Sequence, residues 1–405
     1  MATERAYWLA WSQIKGVGPV TAKHLWEHFE TLGQAWRASA AALLEVDGIG
    51  ILSAEQITAQ RAKLNPEELL AAHERDNQSF WTPADPDYPT LLFAINDPPP
   101  VLYYRGQLRL NDLNALTVGI VGTRQPSSYG RRWTQRLSAQ LARKGAVVVS
   151  GLAAGIDTAA HESCLSVNGL TVAVLGTGVD QVYPARNKQL QAAIQANGLV
   201  VSEYPDGTRP DKKHFPQRNR IIAGLSRAVL VTEAPTRSGS LITSRLANEY
   251  CREVYALPCG LDNAQGIGNL NLIAQGAQLI LGEQTLIETL SELPPVDAIA
   301  PQHRHNRDQQ TQLTQANPAQ HKPTQPSPNT PEELPIDLTK MAITSVPNLS
   351  PSLSTVLEAV SVEPTVLDNV VQLAQMETGQ VLGALVQLEL LGLVTQLPGM
   401  QYQRG

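Results

Sequence analysis

Residues 118–130, VGIVGTRQPSSYG, end an apolar run at Gly122 and pass through Thr123 and Arg124 to a helix start near Ser128. Backbone N–H groups, the hydroxyls of Ser127 and Ser128 and one guanidinium thereby meet at a helix N-terminus. The partial positive charge there suits an anion. The turn has neither the Lys-Ser/Thr ending of a P-loop nor the G-x-G-x-x-G of a dinucleotide site. The expected ligand is therefore a phosphate, with no ATP, NAD or other cofactor implied. A second strand-to-helix passage, VTEAPTRSGSLIT at 231–243, offers Thr236, Arg237, Ser238, Gly239 and Ser240. Glu233 stands at its strand end, either as an acid or as an anchor for nearby arginines.

Two further segments carry chemistry-bearing types. In DGTRPDKKHFPQRNRIIAGLS, 206–226, Lys212, Lys213, Arg218 and Arg220 surround Phe215. Cations interleaved with a ring fit a single-stranded nucleic acid, with the cations on the backbone and the ring on a base. The competing reading is that Phe215 and Pro216 anchor the loop in the core. In SGLAAGIDTAAHESC, 150–164, Asp157 and His161 lie one helical turn apart. They form either an acid–base couple or a helix cap and a brace for the loop. The turn TGVDQVYPARN, 177–187, adds Gly178, Tyr183 and Pro184 to the rim.

These segments need a scaffold, and the sequence supplies one. Apolar runs at 116–121, 146–150, 171–175, 199–202, 228–232 and 253–257 are continuous, as parallel strands covered on both faces are. Helices fill the gaps. The fold class expected is α/β, a Rossmann-like doubly wound and mostly parallel sheet, with ligands at the strands' carboxyl ends. Charge agrees. The chain carries −6 overall, yet residues 113–282 hold 17 Lys/Arg against 10 Asp/Glu, a net of +7. From 113 to 156 there are six basic residues and no acidic ones. A basic centre marks a polyanion site, although Arg131 to Lys144 also read as a solvated helix face.

Around that centre the 405 residues divide further. Residues 1–75 read as helical. They repeat G-x-G ahead of a helix in IKGVGPVTAKHLWEHF, 14–29, and in VDGIGILSAEQI, 46–57. This is either a tandem helix-hairpin-helix (SAM-like) that shows amides to phosphate, or a bundle whose glycine turns only join helices. Seven basic and nine acidic residues there weigh against DNA. Residues 80–112 read as an extended connector with Pro98, Pro99 and Pro100, the whole expected domain spanning 80–290. Residues 294–350, crowded with Pro, Gln, Asn and Thr, read as a disordered linker. Residues 351–405 recover helices at 354–360, 365–374 and 378–391 and two strands around Pro398 and Gly399, a winged helix. Its third helix lacks positive charge, so protein contact is favoured over base reading.

No stretch approaches the ~20 apolar residues of a membrane span. The N-terminus MATERAYWLAW lacks a signal-peptide pattern. Three cysteines without metal-ligand spacing, and eight scattered histidines, give no metal site. A reduced cytosolic location is the simplest account.

The motifs VGTR…SYG, SGLAAGIDTAAH, AVLGTGVDQVYPARN, SEYPDG, FPQRNRIIAGLS and EAPTRSGSLIT, in this order, resemble the DprA (Smf) family of DNA-processing proteins. The likeness runs through about residues 80–282, and the flanking helical and winged-helix segments sit in that family's order. It departs in PCG at 258–260, where PG is usual, and in the length of the linker. The resemblance implies a single-stranded-DNA-binding core that is not an enzyme, self-associates as a homodimer and loads the RecA recombinase during natural transformation. Carried over, the DNA contacts are Gly122, Thr123, Arg124 and Ser127, then Lys212 or Lys213, Phe215, Arg218, Asn219 and Arg220, and Ser238, Gly239 and Ser240. The segment NLNLIAQGAQLI, 269–280, is expected to leave Ile273 or Leu279 outward as the dimer and partner surface. The rivals are a nucleotide phosphoribohydrolase of the LOG-like group and a nucleotide-sensing module. Against the former, APTRSGSLIT replaces a P-G-G-x-G-T turn.

Overall fold

Runs of Val, Ile, Leu and Ala too apolar to face water on either side become the centre of one large sheet. The computed structural model describes residues 2–77, 79–107, 116–293, 351–361, 365–376, 378–390, 393–397 and 401–404. The 294–350 linker and the Pro398–Gly399 turn lie outside them. The chain divides into two compact units, one ending at Asn317 and one beginning at Pro318.

The first unit opens with α1 (Glu4–Ser12), α2 (Pro19–Phe29), α3 (Leu32–Arg37), α4 (Ala40–Leu43), α5 (Ile51–Arg61) and α6 (Pro66–Asp76). Gly16 and Gly48, at φ +92° and +82°, turn the chain just ahead of α2 and α5. These are the two hairpins the repeat suggests. Trp8, Trp11, Leu25, Leu32 and Leu43 fill their core. The hairpin tips show apolar Ile51 and Leu52 to solvent.

The segment expected as an extended connector is instead part of the sheet. Phe80–Trp81 (β1) pairs antiparallel with Leu102–Gly106 (β2), and Thr90–Phe93 (α7) makes a turn of helix before the prolines. Trp81 stacks on Tyr104 with centroids 3.8 Å apart. The prolines of this segment, Pro83, Pro86, Pro89 and Pro98 to Pro100, all lie between the two strands, so the ladder loses no N–H.

The α/β portion follows as β3 (Thr117–Gly122), α8 (Ser128–Arg143), β4 (Val147–Ser150), α9 (Ile156–Leu165), β5 (Thr171–Leu175), α10 (Lys188–Asn197), β6 (Leu199–Ser202), α11 (His214–Leu225), β7 (Ala228–Glu233), α12 (Ser240–Glu249), β8 (Glu253–Ala256), α13 (Ile267–Ala274), β9 (Gln278–Leu279) and α14 (Glu283–Ser291). The strand order is β1-β2-β6-β5-β4-β3-β7-β8-β9, with β1 and β2 antiparallel and the rest parallel. The winding reverses at β3, which has β4 on one side and β7 on the other. Ligand crevices open at such switch points. Residues of α11 and α12 fill one face with Val121, Val149 and Val231, and those of α8, α9 and α14 fill the other with Ile120, Val148 and Leu230.

The second unit holds helices at Pro351–Ala359, Leu367–Ala374 and Thr378–Leu390. A three-stranded sheet of Thr365–Val366, Gln401–Arg404 and Val394–Leu397 completes a winged helix. Helix Thr378–Leu390 contains no Lys or Arg.

Candidate nucleic-acid interface

At the switch point, the carboxyl ends of β3 and β7 bring Gly122 to Ser127 beside Glu233. Glu233 is buried, and its carboxylate accepts hydrogen bonds from Ser127 N at 2.7 Å and Ser127 Oγ at 2.6 Å. Asn263 Nδ2 donates to it as well, at 3.1 Å. The protein's own carboxylate thus sits where the sequence suggested an incoming phosphate at the α8 N-terminus. A negative charge is stabilised there by the helix dipole whoever provides it. Ser127 caps α8, accepting from Gly130 N at 3.1 Å, and Thr123 is buried with its N–H given to Glu233 O at 2.7 Å. Gly122, Thr123 and Ser127 therefore shape the crevice from within. Arg124 alone of this turn extends a cation into solvent. Gly155, at φ +89°, lets the loop after β4 pass under it: a Cβ there would lie 2.6 Å from the Arg124 carbonyl carbon.

Phe215 stands opposite, on the first turn of α11. Its ring is half-buried, lies 5.7 Å from the Arg124 guanidinium carbon and 5.3 Å from the Tyr183 ring, and is tilted 31° to that ring. The two readings of Phe215 are both partly realised. One edge packs so closely on Gly176 that a Cβ there would come 3.0 Å from Phe215 Cδ1, while the cluster with Tyr183 and Arg124 stays open. Lys212 and Lys213 are exposed in the loop before α11, where Lys213 N is tied to Asp211 Oδ1 at 2.8 Å. A cation over a ring and two exposed ammonium groups make a surface for a base and its phosphates.

Two arginines assigned to the same surface turn inward. Arg218 is 4 % exposed; its Nη1 donates to Gly151 O at 2.6 Å and to Val174 O. Burial lowers its pKa to about 10. Arg220 is buried between Glu203, 2.6 Å away, and Asp97, 3.4 Å away. Position in α11 explains this: residues 220–225 are all buried, so the helix is enclosed on every side there, and Arg218 reaches β5, so both guanidinium groups must find partners inside. Asn219, half-buried, points to the neighbouring loop, where its Nδ2 donates to Gly239 O at 3.1 Å. Ser238 and Ser240 share a hydroxyl contact of 2.7 Å, and Ser240 is buried. Thr236, Arg237 and Gly239 form the exposed lip of that turn.

Asp157 and His161 do not meet as an acid–base couple. Asp157 Oδ2 accepts from Gly151 N at 3.1 Å and Ala153 N at 3.3 Å, holding the loop after β4 beside Arg218. Burial raises its pKa, opposed by Arg218. His161 is fully enclosed with Nδ1 2.7 Å from Thr171 Oγ1, and burial pushes it down to about 3. The roles are structural but not those of a cap and a loop brace: Gly155 stands at the α9 N-cap with no side-chain cap, Asp157 is what braces the loop, and His161 ties α9 to β5.

The scaffold recurs in known proteins. A family model described as DNA recombination-mediator protein A matches residues 79–291. "Protein Smf" of Synechocystis is 49 % identical over 99 % of both chains. The chain belongs to the DNA recombination-mediator protein A family. "DNA processing protein DprA" of Bacillus subtilis is 37 % identical over 64 % of this chain and 89 % of its own. The X-ray structure of DprA from Streptococcus pneumoniae, 35 % identical, superposes with a TM-score of 0.62 over 73 % of this chain and 99 % of that one. The flanking units match a SAM-like helix-hairpin-helix tandem at 11–63 and a DprA winged helix domain at 342–400. The latter begins inside the stretch read as linker.

Sequence reading placed Tyr183 only on the rim, yet it is 41 % exposed beside Phe215. It also missed Tyr204, whose ring stacks on His214 at 4.0 Å and whose hydroxyl donates to Gln217 at 2.9 Å. Arg209, in the same loop as Lys212, is exposed. A loop cation adjoining two others was the available signal for Arg209. Nothing local marks Tyr204. On the far edge of the sheet, Leu279 is 42 % and Leu281 74 % exposed, whereas Ile273 is half-buried. Among the described residues no helix is long and apolar enough to cross a membrane, and no cluster of three or more metal-ligating side chains is present.

Proposed function

We propose that this member of the family binds single-stranded DNA in the crevice between Arg124, Phe215 and the 209–213 loop, and passes it to a RecA-type recombinase. The observation that carries the reading is the Arg124 guanidinium 5.7 Å from the Phe215 ring, with Lys212 and Lys213 exposed alongside. Arg124 and the lysines hold phosphates, while Phe215 and Tyr183 offer π-faces that accept any base. Gly239 and Arg237 close the far side, steadied by Asn219.

The proposed role is binding without chemical turnover, in the cytoplasm, as a homodimer joined near β9 and with the recombinase contact close by. Glu233 is bound by Ser127 and Asn263 and does not stand ready as an acid. The test is fluorescence anisotropy on single-stranded DNA, duplex DNA and AMP across a salt series. Single strands should bind best, with a log–log salt slope of roughly −0.7 per phosphate contact. Arg124→Ala and Lys213→Ala should each flatten it. An unchanged slope in both removes these cations from the backbone. Release of free base from AMP or CMP, abolished by Glu233→Gln, would restore the hydrolase reading.

A further inference from the structure

Leading away from the crevice is a surface that the proposed binding site does not use. Helix α8 starts four residues after Arg124 and runs for 16 residues, roughly 24 Å at helical rise. Its inward stripe is Gly130, Thr134, Leu137, Ser138, Leu141 and Ala142. Its outward side, with the residue after it, exposes Arg131, Arg132, Arg136, Arg143 and Lys144 and carries no acidic residue. Arg132, Arg136 and Arg143 recur at four- and seven-residue steps, which places them in one ridge along the helix.

The ridge also carries aromatic surface. The Arg132 guanidinium lies 5.9 Å from the ring of half-buried Tyr129, and that of Arg136 lies 4.9 Å from the ring of half-buried Trp133. Charge opposite this face comes from α14, whose Glu283 pairs with Arg136. Among the described residues, Arg131, Arg132, Arg143 and Lys144 have no ion pair. Four unneutralised cations on one helix repel one another, and an acidic chain laid along them removes that cost.

We infer that α8 is a second binding tract for the same strand: single-stranded DNA leaving the Arg124–Phe215 crevice continues along the Arg132–Arg136–Arg143 ridge. The inference rests on the proposed single-strand reading for its ligand and extends it in site and length. Continuity sets the path, because Tyr129 and Arg132 stand on the first two turns of α8, which starts four residues after Arg124. Backbone charge sets the ligand, and the Tyr129 and Trp133 rings suit unpaired bases. The consequence is a length requirement: a short oligonucleotide fills the crevice alone, whereas a longer one gains the ridge.

The experiment compares oligothymidylates of about 6 and about 30 nucleotides, chosen to fall below and above the combined tract. Full-length protein is measured by anisotropy across a salt series. The triple variant Arg132→Gln, Arg143→Gln, Lys144→Gln should leave the short oligonucleotide unaffected. It should weaken the long one at least tenfold at moderate salt and flatten its slope by roughly 2, about 0.7 per lost cation. The pair Arg131→Gln, Lys144→Gln should show a smaller loss of the same kind, which guards against misfolding of the triple variant. An unchanged slope for the long strand overturns the inference, as does an equal loss at both lengths. Arg124→Ala separates the two sites. If it weakens both lengths, the crevice is the entry site. If it weakens neither while the triple variant still weakens the long strand, the crevice reading fails and the ridge stands.

Discussion

Whether a side chain serves binding or stability here is decided by how far along its helix it stands. Phe215 and Arg218 are three residues apart on α11, yet one borders solvent and the other is sealed against Gly151 and Val174. Arg218→Ala should destabilise the fold by about 3–5 kcal/mol, because it leaves buried Asp157 without its cation. Thermal or urea unfolding would register it, and a stable Arg218→Ala protein that had lost DNA binding would return Arg218 to the interface. Phe215→Ala should cost about 1–3 kcal/mol of binding with little change in salt slope, since stacking is not ionic. A melt run in parallel separates this from loss of the Gly176 packing. Tyr183→Ala should behave alike, with a smaller loss.

His161 makes a residue-scale prediction about pH. Burial holds its folded pKa near 3, far below the ordinary value of 6.5. The unfolded chain therefore binds a proton that the fold refuses between those values. His161's contribution to stability is full above pH 6.5 and is lost as pH falls toward 3. Its pH dependence is read from the unfolding midpoint between pH 6.5 and 4. His161→Gln should flatten that decline; an unaltered decline assigns it to other groups.

At the scale of elements, the sheet's two edges are treated differently. On one side β1 and β2 close the edge with proline-flanked antiparallel pairing and the stacked Trp81–Tyr104 pair. On the other, β9 is two residues long and leaves Leu279, followed by Leu281, in solvent. An uncovered apolar edge invites pairing with a second copy. Leu279→Glu should then give a folded monomer by light scattering, one that binds a short oligonucleotide but supports strand exchange poorly. Ile273→Glu, at a half-buried position, should do so less cleanly. A persisting dimer in both places the interface elsewhere.

For the whole molecule, charge is segregated by domain. Residues 113–282 carry +7 and residues 351–405 carry −4, with one basic residue, Arg404, in the latter. Deleting residues 294–405 should leave single-strand affinity largely intact, because the deleted part repels a polyanion. A loss of tenfold or more, about 1.4 kcal/mol, would make the winged helix a DNA reader despite its uncharged helix Thr378–Leu390.

The amino-acid sequence by itself determined the parallel strands at the sheet's centre and the fold class. Continuous Val-rich runs can only be doubly covered strands, and the strands at 171–175 and 199–202 fall at the expected residues. It also determined where the crevice opens, since glycine turns after β3, β4 and β7 mark the strands' carboxyl ends. It was silent where partners come from afar. Glu233 is 106 residues from Ser127, and no local pattern says that its carboxylate fills the α8 N-terminus. Likewise Arg218 and Arg220 look identical in type to Lys212 and Lys213, and only the packing of α11 against the sheet buries the arginines. The proline-rich 80–106 segment reads as a connector because edge-strand pairing is made with β6, about a hundred residues later in the chain, where short-range patterns do not reach. Local periodicity fixes what a segment is, but long-range contact decides which of its charges are left for a ligand.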